Sequence, residues 1–239
     1  IYHFGGDTLA AHWLQKSGVG SYDYDIKVIT SYDRGKNWTE PKSPHRDGVK
    51  GEHGFVSFFN NFNDQLGLVW LDGRNMEANP DGHGYGAMNL YQTTFNKSGK
   101  FNLETQLDNK VCECCPTSAI KTENALILAY RDRSDKEIRN INIIRFANGQ
   151  WSNPYPVNDD KWKITGCPVN GPILSNLGNK VAIAWYTAPN ANPTVNVSFS
   201  EDEGNSFEKP IRVDLSNPIG RVDLVWLNKE EVIVSWVEI

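Results

Sequence analysis

The chain is most informative first for what it lacks. No apolar run approaches the roughly 18 to 20 residues that a helical membrane span requires, so no such span is expected. Lysine and arginine form no dense cluster, and the net charge is -5, which leaves no electrostatic footprint for nucleic acid or an anionic membrane. There is no phosphate-binding glycine loop, no Gly-x-Ser-x-Gly elbow and no paired-histidine metal motif, so no cofactor is expected. The chain opens at Ile1 with no initiator methionine and no visible leader, and its true start is expected to lie further upstream. With 39% hydrophobic and 22% charged residues among 239, it has the composition of a soluble globular domain with a sizeable core.

What is present is repetition. Apolar runs ending in an aromatic recur as "LAAHWLQ", "LGLVWLDGR", "LILAYRDR", "VAIAWYT" and "VIVSWVE". Their aromatics are Trp13, Trp70, Tyr130, Trp185 and Trp236, at spacings of 57, 60, 55 and 51 residues. The runs are short, rich in β-branched residues and apolar on both sides, which predicts strands covered on both faces. In four cases a second strand precedes the run across a polar turn, so each unit opens with a hairpin. A second series closes the units: "SYDRGKNWTEP", "TFNKSGKFNLE", "FANGQWSNP" and "SEDEGNSFEKP". Each unit is therefore a four-stranded meander, and radial repetition of such sheets makes an all-β propeller. The blades are expected at about 1–46, 47–109, 110–163 and 164–217, with a partial blade at 218–239, all in one domain.

The turn Ser-x-Asp-x-Gly-x-x-aromatic at 31–38 and 200–207 has a folding role in every part. Ser31 and Asp33 can bond backbone groups of their own turn, Gly35 can take positive φ, and Trp38 can pack the turn on the sheet. These segments resemble the Asp-box, or bacterial neuraminidase repeat, of sialidase-like propellers, with two full copies and two degenerate ones ending at Phe101 and Trp151. The strand series extends the likeness over the whole chain.

The resemblance implies a structural role for the turn and a ligand face at the opposite end of each blade. Residues just before first strands and just after second strands should share that face. They include Asp72 and Arg74, then Arg131, Asp132 and Arg133, and Glu238. His53, Cys112, Cys114, Cys115, Cys167, Asn170, Arg221 and Asp223 join them, with His83 and Tyr85 from the long loop "NMEANPDGHGYG". Gln15 and Thr187 stand where Asp72 and Asp132 stand in their blades. Arg74, Arg131 and Arg221 can converge on an anionic group, and Asp72, Asp132 and Asp223 are the candidate acid and base groups of a glycosidase. Arg133, His83, Tyr85 and Asn170 are further candidate substrate contacts. The competing expectation is that Asp72 with Arg74 and Asp132 with Arg133 are ion pairs pinning loops.

Two functions follow, an exported hydrolase of anionic or other glycans, and a non-catalytic carbohydrate-binding or scaffold propeller. Pairing of each aspartate with its neighbouring arginine favours the second. The Arg-Ile-Pro segment of sialidases is absent, and no Tyr/Glu nucleophile pair can be assigned. Sialidase propellers have six blades, so further chain or a partner is expected to close this one.

The 4 cysteines fall at the starts of two adjacent blades. Disulfides in an exported protein and a thiolate metal site both fit, and a bridge from Cys167 to the 112–115 cluster would tie the third blade to the fourth. His3, His12 and His45 show no ligand spacing and are expected to be ordinary surface or packed residues.

Overall fold

The computed structural model describes residues 1–62, 65–78, 84–96 and 99–239, with the side chains of 77, 78, 84 and 85 outside that description. The chain forms two compact units, Ile1–Asn109 and Lys110–Ile239.

In the first unit, β1 (Tyr2–Gly5), β2 (Thr8–Lys16) and β3 (Tyr24–Ser31) form an antiparallel meander. Lys42 bridges to Val28 where a fourth strand would lie. Next come β4 (His53–Asn60), β5 (Leu66–Asp72), β6 (Met76–Ala78), β7 (Gly84–Gly86), β8 (Met88–Phe95) and β9 (Thr105–Val111). Strands β4-β5-β8-β9 make a four-stranded sheet, and β6 and β7 form a small hairpin in its loop. Every residue of β5 is buried, as a strand covered on both faces requires. Ala10, Ile26 and Val28 of the first sheet meet Phe58, Leu68, Trp70 and Phe95 of the second in one core.

The second unit continues with β10 (Ser118–Lys121), β11 (Leu126–Arg131), β12 (Ile141–Ala147), β13 (Gln150–Trp151) and β14 (Tyr155–Pro156). These form one sheet, in which β12 pairs with both short strands. Then β15 (Ile173–Leu177), β16 (Lys180–Thr187), β17 (Thr194–Ser200) and β18 (Ile211–Arg212) make a four-stranded sheet, and β19 (Pro218–Trp226) pairs with β20 (Val232–Glu238). Ile127, Ala129 and Ile143 pack against Val181, Ile183 and Trp185, while Ala182, Ala184 and Val197 pack against Leu224.

The two full-length turns are built alike. Ser31 Oγ donates to Asp33 Oδ1 at 2.8 Å and accepts from Gly35 N at 2.8 Å, and Asn37 N donates to Asp33 Oδ1 at 2.9 Å. In the second copy Ser200 Oγ, Asp202, Gly204 N and Ser206 N repeat those bonds at 2.8, 2.8 and 2.9 Å. Both glycines have positive φ, 84° at Gly35 and 74° at Gly204. The Asn37 amide bonds hold the Asp33 carboxyl down at about 2. At Asp202 burial pushes upward, but donation from Ser206 and Ser200 outweighs it and the carboxyl again lies at about 2.

The starts of first strands are distorted in a recurring way. Register shifts fall between Gly54 and Ser57 in β4 and between Gly220 and Asp223 in β19. Phe55 and Arg221 take φ of 54° and 58° there, and Val169, just before β15, takes 53°. Non-glycine residues in the left-handed region at bulges re-aim the side chains around them.

Candidate functional site

The aromatics of the second strands explain the acids that follow them. Residues i and i+2 of a strand share a face, and Trp70 Nε1 donates to Asp72 Oδ2 at 2.7 Å. Trp236 Nε1 does the same to Glu238 Oε2 at 2.6 Å. Where Thr187 replaces the acid, Asp160 supplies the carboxylate instead, 2.8 Å from Trp185 Nε1.

Asp72 is fully buried and sits in a wider network. Arg74 clamps it with two bonds, Nε to Oδ1 at 2.8 Å and Nη2 to Oδ2 at 2.7 Å. The same guanidinium reaches Glu104 Oε2 at 2.8 Å and Asp47 Oδ2 at 3.3 Å, and lies 3.9 Å over the Tyr91 ring. Burial would lower the Arg74 pKa, but Asp72 and Glu104 raise it.

His53 lies beneath, with Nδ1 3.0 Å from the Tyr24 carbonyl and Nε2 3.0 Å from Asp47 Oδ2. Both ring nitrogens face acceptors, which favours the imidazolium. Burial lowers its pKa, yet the Asp47 bond and the fields of Asp72 and Asp47 leave it raised. Asp47 itself is held far below the carboxylate range: burial opposes this, and bonds from His45, His53 and Val49 N overcome it. His45 stacks on His53 with ring centroids 3.8 Å apart and accepts from Ile26 N at 3.3 Å.

Above His45 the surface opens into a cavity of about 260 Å³ lined by Asp25, Ser43, His45, Arg46, Gly48, Val49 and Lys50. Asp25 is the one carboxylate among these lining residues. Burial pushes its pKa up, and the hydrogen bond from Lys27 and the field of His45 bring it below the ordinary value, so it is ionised at neutral pH.

In the second unit Arg131 is buried and directs its guanidinium at three main-chain carbonyls: Asn170 from Nε at 2.8 Å, Arg139 from Nη1 at 2.8 Å and Tyr186 from Nη2 at 2.6 Å. Its Cζ lies 4.9 Å from the Trp162 ring. Arg133 pairs with Glu113 and Glu137. Arg139 closes the square by binding the same two glutamates at 2.7 and 3.2 Å.

Asp132 follows β11 and bridges through its backbone to Val111. Asn170 donates to the Pro168 and Ile219 carbonyls and accepts from Arg221 N, which joins two blade starts. Arg221 and Asp223 are exposed on β19. Tyr85 pairs with Glu77 on the β6–β7 hairpin, its side chain outside the description, and His83 lies outside the described residues altogether. Within each unit the expected ends of the strands do meet, His53 opposite Asp72 and Val111 opposite Asp132. Arg74 and Arg131 fall in different units, and each guanidinium already has partners.

Asp25, Asp47, Glu104, Glu113, Glu137 and Arg139 were missed by sequence reasoning, and His45 belongs to the network rather than to featureless packing. Only "HRDG", just upstream of a blade start, carried a usable signal.

The cysteines pair as Cys112–Cys115 and Cys114–Cys167, and no free cysteine is left. This is the disulfide arrangement, with one bridge between the third and fourth sheets as expected, and it leaves no thiolates for a metal. Asp47, His53 and Asp72 bring possible ligand atoms within 4.8 Å of one another, as do Asp25, His45 and His53. At the first group the Arg74 guanidinium already supplies the positive charge.

No protein-family model and no curated protein matches the sequence. Solved structures do match. The Hadza microbial sialidase Hz136 aligns with a TM-score of 0.63 at 14% identity, covering 94% of this chain and 48% of that one. The intramolecular trans-sialidase from Ruminococcus gnavus, in complex with oseltamivir carboxylate, gives 0.64 at 8% identity over 92% and 71%. The GH93 α-L-arabinofuranosidase of Fusarium graminearum with arabinobiose gives 0.61 at 13% over 96% and 71%. The chain thus spans about half the length of the first of these. At such identities the likeness is one of architecture, and the architecture is that of the sialidase-like β-propellers.

Proposed function

We propose that the chain is a carbohydrate-binding propeller that takes an acidic glycan in the cavity beside Asp25, Arg46 and Lys50. The observation that carries this reading is the commitment of the acids that follow the second strands. Asp72 is clamped by Arg74 and Trp70, and Glu238 accepts from Trp236. Hydrolysis of a glycosidic bond needs two carboxyls about 5 to 10 Å apart across an open site, whereas the cavity is lined by one. Arg46 and Lys50 are exposed at its rim and can meet a sugar carboxylate or sulfate, while Ser43 and Asp25 can bond hydroxyls. Its volume is just under the usual range for small-molecule sites and suits a single ring.

The second reading is a glycoside hydrolase, favoured by the sialidases and arabinofuranosidase that share the fold. In that case catalytic groups come from Asp132, Asp223 or chain outside these residues, and closure by further blades or a partner completes the site. Both readings take the 31–38 and 200–207 turns as Asp-boxes. Both include an oxidising compartment outside the cytoplasm, which the two disulfides support.

Calorimetry with sialylated, uronate and neutral oligosaccharides tests the proposal, run beside a sugar-release assay. Binding restricted to acidic glycans, weakened about tenfold or more in Arg46→Ala and Lys50→Ala, is the expected result. Turnover abolished by Asp132→Asn or Asp223→Asn would favour the hydrolase instead, and no binding of any glycan would overturn both.

A further inference from the structure

The four cysteine sulfurs form a more unusual group than two separate staples. Cys112 and Cys115 are each 1% exposed, whereas Cys167 lies in an exposed run that includes Lys163, Thr165 and Gly166. Cys114 is between them in burial and in space, with its Sγ 4.0 Å from Cys112 Sγ and within 4.8 Å of Cys115 Sγ. The turn that carries them is held by Glu113, which both Arg133 and Arg139 grip. An outer disulfide that solvent can reach is thus stacked against an inner one that it cannot.

We propose that these residues are a thiol–disulfide exchange site, in which an external dithiol opens Cys114–Cys167 and the inner bridge then rearranges. Exchange proceeds by attack of a thiolate on a disulfide sulfur, and access decides which sulfur is struck. A thiolate of the dithiol attacks Cys167 Sγ, forming a mixed disulfide and breaking the Cys114–Cys167 bond. The electron pair leaves on Cys114. Its side chain, released from Cys167, turns about χ1 and attacks the neighbouring Cys112 Sγ. A Cys112–Cys114 bond forms, the Cys112–Cys115 bond breaks, and the pair leaves on Cys115, which takes up a proton. The second thiol of the dithiol then attacks its own mixed-disulfide sulfur and releases Cys167 as a thiol. In sum, the dithiol is oxidised to a disulfide, and the chain passes from two disulfides to one disulfide with thiols at Cys115 and Cys167. The partner class is a dithiol reductant, small or protein-borne, that can approach the 163–169 run.

The rearrangement also frees that run from the 112–115 turn. Asn170 follows directly, and its carbonyl is one of the three that hold Arg131. Exchange therefore acts on the anchoring of Arg131 while leaving the sheets in place.

The test uses the folded chain with an equimolar amount of dithiothreitol, acid quenching at intervals, alkylation with N-ethylmaleimide and fragmentation mass spectrometry. Label on Cys115 and Cys167 with a retained Cys112–Cys114 link is expected. Label on Cys114 and Cys167 with Cys112–Cys115 intact, label on all four together, or no label would each overturn the proposal. Cys167→Ser provides a test that needs no reductant. Its Cys114 thiol should exchange spontaneously, so that N-ethylmaleimide finds Cys115, and label confined to Cys114 would overturn the proposal as well.

Discussion

His53 Nε2 and Asp47 Oδ2 lie 3.0 Å apart in a pair whose side chains are 0% and 6% exposed. The bond favours an imidazolium inside the first unit, where Asp72 also faces the ring at 3.7 Å. Carboxylates reach this cluster from three places in the chain, since Asp47 precedes β4, Asp72 ends β5 and Glu104 precedes β9.

This pair makes stability fall as pH rises above the ordinary histidine value. His53 has a raised folded pKa, so its contribution is complete below the ordinary value of 6.5 and is lost as pH rises through the higher folded value. Urea midpoints taken from pH 6 upward should fall more steeply for the wild type than for His53→Phe. Parallel profiles would rule out the imidazolium.

Asp72 and Arg74 should be strongly coupled. Removing one member of a buried pair leaves an uncompensated charge and costs about 3 to 5 kcal/mol, so Asp72→Ala is expected to fall in that range. Arg74→Met should cost at least as much, because it leaves the fully buried Asp72 and the neighbouring Asp47 and Glu104 without their shared cation. The double variant should be clearly more stable than the sum of the single losses. Additivity in a denaturation cycle would show the two act independently.

The two turn glycines should respond differently to a methyl group. Each has a left-handed backbone, which costs about 1 to 2 kcal/mol for a residue with Cβ. At Gly35 the nearest atom to a new Cβ is Leu9 Cδ1 at 3.5 Å, whereas at Gly204 it is Ile127 Cδ1 at 2.9 Å. Gly204→Ala should therefore lower the thermal midpoint more than Gly35→Ala. Equal losses would mean that only backbone conformation matters.

Arg131→Lys should behave as a severe change. An ammonium cannot span three carbonyls fixed in different segments, and each buried acceptor left unpaired costs about 1 to 3 kcal/mol. A loss of about 3 kcal/mol in urea unfolding is expected, with Trp162 emission as the probe because the guanidinium lies over its ring. A loss below about 1 kcal/mol would show that water replaces the missing donors.

The architecture was readable because its signals are local. The aromatic closing each second strand and the glycine in each turn act within a few residues, and the strands β2, β5, β11, β16 and β20 follow from them. The site was only half readable. Asp72 could be placed at a strand end, but Glu104 and Asp47, which decide what its neighbour Arg74 does, are distant in sequence. Arg131 stood out as a cation, yet its carbonyl partners are backbone groups, which no side-chain pattern announces. Thr187 breaks the series of acids in the sequence, and the replacement by Asp160 is visible only in three dimensions.

One further consequence concerns how the chain ages. Asn-Gly sequences deamidate when the side chain can swing onto the following peptide nitrogen, and this chain has two. Asn148 and Gly149 form the exposed β12–β13 turn with φ of 54° and 81°. Asn170 is instead pinned at both amide atoms, to Pro168, Ile219 and Arg221, and Gly171 packs so tightly that a Cβ there would meet the Pro116 carbonyl at 1.9 Å. Peptide mapping after prolonged storage should find aspartate and isoaspartate at 148 and intact asparagine at 170. Conversion at 170 would report that the second unit has opened locally, so this residue serves as a built-in clock of the fold's integrity.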